Sequence, residues 1–326
     1  MRLERKRENV IQKTLIIWLP VLSAIVAIAV DIFMINMSKH TPVNQPYFIY
    51  LLGVITIVFA ASAVASYYNS KAKAWLEERT LFVAAAVLFL NVLNVVTKKL
   101  GLLPVIYFPS LDKVLSVIVE DREFLAVCLA ASGKLLATGY VFGAIAGFTT
   151  GIAVGFSKGA AYWINPLIRI LGPIPPTAWI PIVLISFPTT FSASAFLIAL
   201  SVWFPATVMT SSGILNVQNA YFEVSSTLGA GKYYQIFKVG VPAAMPHMFI
   251  GLFNGTCASF ITLMTAEMIG VKNGIGWYIN WQKEMMAYAN VYAGLIIIAI
   301  TFSILITLLF KLRDYTLVWQ KGVIKW

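Results

Sequence analysis

Charge is what this 326-residue sequence lacks most. Only 11% of its residues are Asp, Glu, Lys or Arg, against roughly 25% in a soluble domain. Chemistry-bearing side chains are equally sparse. The two cysteines, Cys128 and Cys257, lie far apart with no CxxC spacing, which excludes a disulfide framework and a thiolate metal site. The two histidines, His40 and His247, are too few and too distant for a zinc centre. No cluster of His, Asp or Glu offers an enzyme's acid and base. No phosphate-cradling G-x-x-x-x-G-K-[ST] loop exists, because Gly133-Lys134 and Gly231-Lys232 run on into Leu135 and Tyr233. The chain is therefore not expected to be an enzyme, to hydrolyse ATP, or to hold a metal or cofactor.

What is present is apolar. Hydrophobic residues make up 60% of the chain and the mean hydropathy is +0.83. Long uncharged runs read as membrane helices, and continuous runs rather than alternating ones exclude a barrel. The fold class is an all-α polytopic membrane protein. Spans are expected at 15–37, 47–68, 80–97, 132–155, 163–187, 191–213, 243–268 and 289–311. The basic N-terminus precedes an apolar run too long for a signal peptide, which reads as a retained first span. Residues 98–131 form a loop whose amphipathic segment "PSLDKVLSVIVEDREF" is expected to lie on the lipid surface. The net charge of +11 fits cytoplasmic loops rather than nucleic acid. With both termini inside, 16 of the 24 lysines and arginines fall on the cytoplasmic side and 7 outside.

Three features within the spans carry physics. Gly139, Gly143, Gly147, Gly151 and Gly155 repeat every four residues. Such a stripe lets helices approach closely, either within the chain or at a dimer or translocation surface. Four residues turn about 400°, so the stripe drifts and could serve two successive neighbours. "GPIPPTAWIP" breaks the helical ladder at Pro175 and Pro176. Broken backbone at membrane depth belongs along a cavity or inside protein, which makes Pro175, Pro176 and Trp179 candidates for the solute pathway. Asn254, Thr262 and Glu267 are polar positions on the seventh span and join that list, Glu267 as an outer-vestibule residue. Asp31, in the first span, reads as a local structural group.

The loop at 214–242 interrupts the apolar pattern, and the stretch Glu223–Pro246, "EVSSTLGAGKYYQIFKVGVPAAMP", carries most of it. Residues 217–228 are expected to form a short helix, Gly229 and Gly231 to end it, and Pro242 to open the next span. Glu223, Gly229, Val239, Val241 and Pro242 match the spacing of the "EAA" loop, with Val224 and Ser225 where that pattern has alanines. With "INPLIRILGPIPPTAWIPIVLISF", "AEMIGVKNGIGWYINWQKEMMAYANVYAGLI" and "LLPVIYFPSLDKVLSVIV", the chain resembles permease subunits of binding-protein-dependent ABC importers, in the nitrate/sulfonate/taurine branch. One departure is Phe187-Pro188, where that branch has Phe-Gly.

The resemblance covers residues 80–326. It implies a type I importer-like core of six helices, with residues 1–79 an N-terminal extension holding two extra spans. It also implies a coupling helix docking on a separate ATPase through Glu223, Ser226, Leu228, Gly229, Ala230 and Gly231. The implied partners are two ATPase copies, an extracytoplasmic substrate-binding protein, a second copy of the permease, and membrane lipid. Residues 15–68 read as a hairpin dispensable for transport. The competing reading is an ion-coupled secondary transporter, which calls for inverted repeats and midplane charge. The sequence has no evident repeat and few such charges.

Overall fold

The computed structural model describes residues 2–37 and 45–319, with only the backbone given for 2–15 and 71–72; His40 and the last seven residues lie outside. Contacts divide the chain into two compact units, Met1–Arg122 with Gln282–Ala293, and Glu123–Trp281 with Gly294–Trp326.

In the first unit α1 (Arg2–Phe33), α2 (Tyr47–Ser66) and α3 (Ser70–Asn94) pack as three apolar helices. Ile17 and Val21 meet Phe59, Ala63 and Leu76. Further along, Ala24 and Ala27 meet Phe48, Leu52 and Val87. Residue 79, the division expected from the sequence, falls inside α3. The helix closes in a π-helical turn, Val95–Lys99, followed later by α4 (Leu111–Glu120), which Ser110 caps by accepting the Lys113 N–H.

Buried charge gathers at this corner. Lys98 Nζ lies 3.1 Å from Asp31 Oδ1 and 2.7 Å from Asp112 Oδ2. Lys99 Nζ donates to the carbonyls of Asp31 (2.6 Å) and Met34 (3.0 Å) and to Asn36 Oδ1 (2.8 Å). Asn94 donates to Asp31 at 2.8 Å, and Asp112 accepts the Phe48 N–H at 2.9 Å. Two lysines meet two carboxylates, so each buried charge is compensated, as burial in low dielectric demands. The segment expected on the lipid surface is thus held by protein. Asp112 is buried in the charge cluster, and Val114 and Val117 pack on Ala289 and Ala293.

The second unit is built on α5 (Arg122–Phe156), α8 (Thr190–Leu215), α11 (Val241–Gly270) and most of α13 (Tyr288–Thr316). Every glycine of the stripe faces one helix, α8. A Cβ on Gly139 would sit 2.6 Å from Ile198 Cβ, on Gly147 2.5 Å from Ala206 Cβ, and on Gly155 2.8 Å from Ile214 Cβ. The expectation of two successive neighbours is corrected: α8 follows the drifting stripe, as right-handed crossings over four-spaced small residues do. The rising register makes α5 and α8 parallel, so the chain must cross back between them. That return is α6 (Lys158–Leu171) and α7 (Ile180–Ser186), joined through the short 3-10 turn Pro176–Trp179 and bent by 87°. The fifth expected span is therefore a broken one, beside seven unbroken helices of spanning length among the described residues.

Candidate solute pathway and coupling loop

The break between α6 and α7 shapes a cavity. Gly172 is needed there, because a Cβ would run into the Phe204 ring. A space of about 240 Å³ opens between the break, α8 and α11, lined by Gly172, Pro176, Ser201, Phe204, Asn254 and Ala258 among others. Asn254 is exposed in the middle of α11. Open lipid would penalise that amide, whereas a wet cavity suits it.

The structure brings together only two of the six expected pathway residues, Pro176 and Asn254. Pro175 does not line the space. Trp179 packs on the cluster of Ile180, Val183, Ala193 and Leu197, with its Nε1 buried and unbonded. Thr262 is buried and bonds back to the Ala258 carbonyl at 3.0 Å. Ser201 and Phe204 were missed; the mid-span Ser201, one turn before Pro205, was the available signal.

Glu267 does not line this cavity either. It is 0% exposed, and Oε2 accepts the Gly276 N–H at 2.8 Å. The neighbouring Ile275 N–H goes to Ser132 Oγ at 2.9 Å. Gly274 has φ 144°, and a Cβ there would fall 2.5 Å from the carboxylate carbon. Glu267 thus pins the turn leading into α12 (Ile275–Glu284).

At the other end of α11 the coupling loop stands out from the helices. α9 (Asn219–Thr227) ends as a glycine cap should. Gly229, at φ 82°, donates to the Ser226 carbonyl at 3.0 Å, and Ala230 to that of Ser225 at 3.0 Å. Glu223, Ser226, Leu228, Gly229 and Gly231 are exposed and Ala230 half-buried. Tyr221, Val224, Leu228, Tyr233 and Tyr234 form an exposed apolar tip that the sequence reading passed over apart from Leu228; Leu228 and Tyr233 are each 82% exposed. The base of α9 is held from behind, where Phe222 meets Phe156 edge-on with centroids 6.0 Å apart. Gln235 Nε2 also donates to the Phe222 carbonyl at 3.3 Å. Pro242 does not start the span. A turn of helix α10 (Lys232–Tyr234) and a π-helical turn (Gln235–Gly240) run straight into α11, giving one helix over Lys232–Gly270.

Helices of spanning length, one of them broken beside a mostly apolar cavity that Asn254 borders, and a projecting helix-turn on a long helix describe a polytopic membrane subunit. Residues 139–316 match the family described as the binding-protein-dependent transport system inner membrane component. The chain belongs to that family of ABC importer permeases.

Among its relatives is the nitrate import permease protein NrtB of Leptolyngbya laminosa, 33% identical over 52% of this chain and 62% of that one. The putative aliphatic sulfonates transport permease protein SsuC of Bacillus subtilis is 32% identical over 50% and 59%. The taurine transport system permease protein TauC of Escherichia coli is 30% identical over 53% and 62%. The chain thus matches about 60% of these relatives' length. A chain of the MetNI methionine ABC transporter, solved in inward-facing conformations, shares the fold with a TM-score of 0.51. It is 15% identical, over 60% of this chain and 98% of that one.

Proposed function

We propose that this chain, paired with a second copy, lines the pathway of an ATP-driven importer for a small solute of the sulfonate, oxyanion, or vitamin- or pyrimidine-precursor class. A binding protein delivers the solute outside, and two separate ATPase subunits dock inside. The transport step belongs to residues 123 onward, within the core that the sequence division begins at residue 80. Residues 1–79 stand outside that step as an extension. The observation that carries this reading is the continuous helix from the exposed tip to the cavity. From Lys232 to Asn254 it spans about 33 Å at 1.5 Å per residue, so the tip and the cavity wall belong to one helical element, whose π-helical turn and Pro242 and Pro246 lie between them.

Both termini lie in the cytoplasm in this reading. The burial of Lys98 and Lys99 among carboxylates supports it, since neither then counts as a free outside charge. The nearby relatives named for nitrate, sulfonates and taurine favour a small anionic solute. The exposed amide of Asn254 is a group that can donate to an oxyanion.

The test is copurification with the partner ATPase and stimulation of its ATP hydrolysis. Leu228→Asp, which puts a charge on the apolar tip, should abolish both while the chain stays folded. Gly229→Val forces a β-branched residue to φ 82° and should weaken both. Wild-type docking by both variants would defeat the proposal.

A further inference from the structure

A second cavity has a different chemistry. A groove of about 510 Å³ runs between α5, α11 and α13, from Leu129 and Ser132 at one end to Leu312 at the other. Along α13 its lining extends from Ile298 to Leu312, about 21 Å at 1.5 Å per residue. Its polar groups are already bonded. Thr256 Oγ1 donates to the Leu252 carbonyl at 2.7 Å and shares a hydrogen bond with the Tyr140 hydroxyl at 3.0 Å. Ser259 and Thr301 bond back to their own helix at 2.8 Å each. Ser132 takes the Ile275 N–H. A polar solute would find no partner here.

The dimensions select the occupant. About 510 Å³ spread over about 21 Å leaves a long, narrow, apolar slot, the shape of one extended hydrocarbon chain. Charge marks the end where a headgroup would sit. Lys311 is exposed beside Leu312, three residues from the groove-lining Leu308. It forms no ion pair among the described residues, whereas Arg313 is engaged by Asp314 at 2.8 Å. We propose that this groove binds one acyl chain of an anionic phospholipid, whose phosphate rests on Lys311.

Native mass spectrometry of the full chain, extracted in mild detergent and titrated with phosphatidylglycerol and phosphatidylcholine of equal chain length, tests this. Wild type should prefer phosphatidylglycerol. Lys311→Gln should weaken phosphatidylglycerol about fivefold, the worth of one lysine at a lipid surface, and leave phosphatidylcholine unchanged. Gly133→Leu with Ala137→Leu should lose both lipids. A Cβ on Gly133 meets nothing within 4 Å, so the groove has room for the new side chain. A second readout leaves the groove open. A phospholipid carrying a mid-chain quencher should quench a fluorophore on Ala137→Cys more strongly than one on Ile182→Cys, at an exposed site on α7. Equal quenching at the two sites, or unchanged lipid binding by the filled variant, would overturn the proposal. So would Ala137→Cys cross-linking copy to copy, which would make a second copy the occupant.

Discussion

Gly143→Ala tests the packing on which the second unit depends. The added methyl would sit 2.5 Å from the Ala199 carbonyl oxygen and 2.9 Å from both Ala199 Cα and Val202 Cβ. Relaxed carbon contacts lie near 3.5–4.0 Å, so α5 and α8 must part by about 1 Å at the middle of the stripe. Two of the three close atoms are backbone, so no rotamer change relieves the clash. Overpacking of this kind costs about 1–3 kcal/mol. Alanine is a better helix former than glycine by about 1 kcal/mol, which would mask part of the loss. Gly133→Ala isolates that term, because it lies on the same helix with nothing within 4 Å of the new methyl. Gly143→Ala should therefore fall below Gly133→Ala by the full packing cost, at about 2–4 °C of melting temperature per kcal/mol. Fluorescence-detected thermal unfolding of the two purified variants measures the gap. Equal melting temperatures would refute the close approach of α5 and α8.

Asp31→Asn should destabilise the first unit by about 3–5 kcal/mol, because it strips the shared carboxylate from two buried lysines; adding Lys99→Met should recover part of the loss, and wild-type heat resistance in the single variant would rule out the charge cluster as a stabilising feature. For the same reason, deletion of residues 15–68 is expected to destabilise what is left of the first unit, while the copies that fold keep transporting. Gly274→Ala should loosen the turn before α12 by about 1–3 kcal/mol, since φ 144° and the Glu267 carboxylate both oppose a side chain; faster proteolysis there would show it, and unchanged cleavage would not fit. In a chain cleared of Cys128 and Cys257, single cysteines at Leu228 and Lys272 should label from opposite faces of the membrane with an impermeant reagent, and labelling from the same face would break the proposed topology.

The long elements were legible because a membrane helix announces itself by length and apolarity alone. The short helix α9 was legible for a different reason: its polar break and glycine cap are local, and the expected 217–228 became α9 at Asn219–Thr227. What escaped depends on distant partners. Lys98 and Lys99 read as loop charges because the carboxylate that binds both, Asp31, lies 67 residues before Lys98. Glu267 read as a vestibule group because a carboxylate facing a pathway and one pinned by a backbone N–H have the same local sequence. The prolines told that the fifth span breaks but not that it bends by 87°. The sequence offered both Pro176 and Trp179 for the pathway; beside this bend Pro176 lines the cavity and Trp179 packs on Ile180, Val183, Ala193 and Leu197 instead.

The most direct test of the coupling between tip and cavity is the accessibility of a cysteine at Asn254 as the partner ATPase cycles. The chain, carrying Asn254→Cys without its two native cysteines, would be reconstituted with its ATPase and probed by impermeant thiol reagents added to either side. Without nucleotide, the introduced thiol should react from one side only, and trapping the ATPase with ATP and vanadate should switch labelling to the other. Leu228→Asp should abolish the switch. Labelling that ignores nucleotide, or a switch that survives the loss of the tip, would contradict the role given to α9 and the cavity.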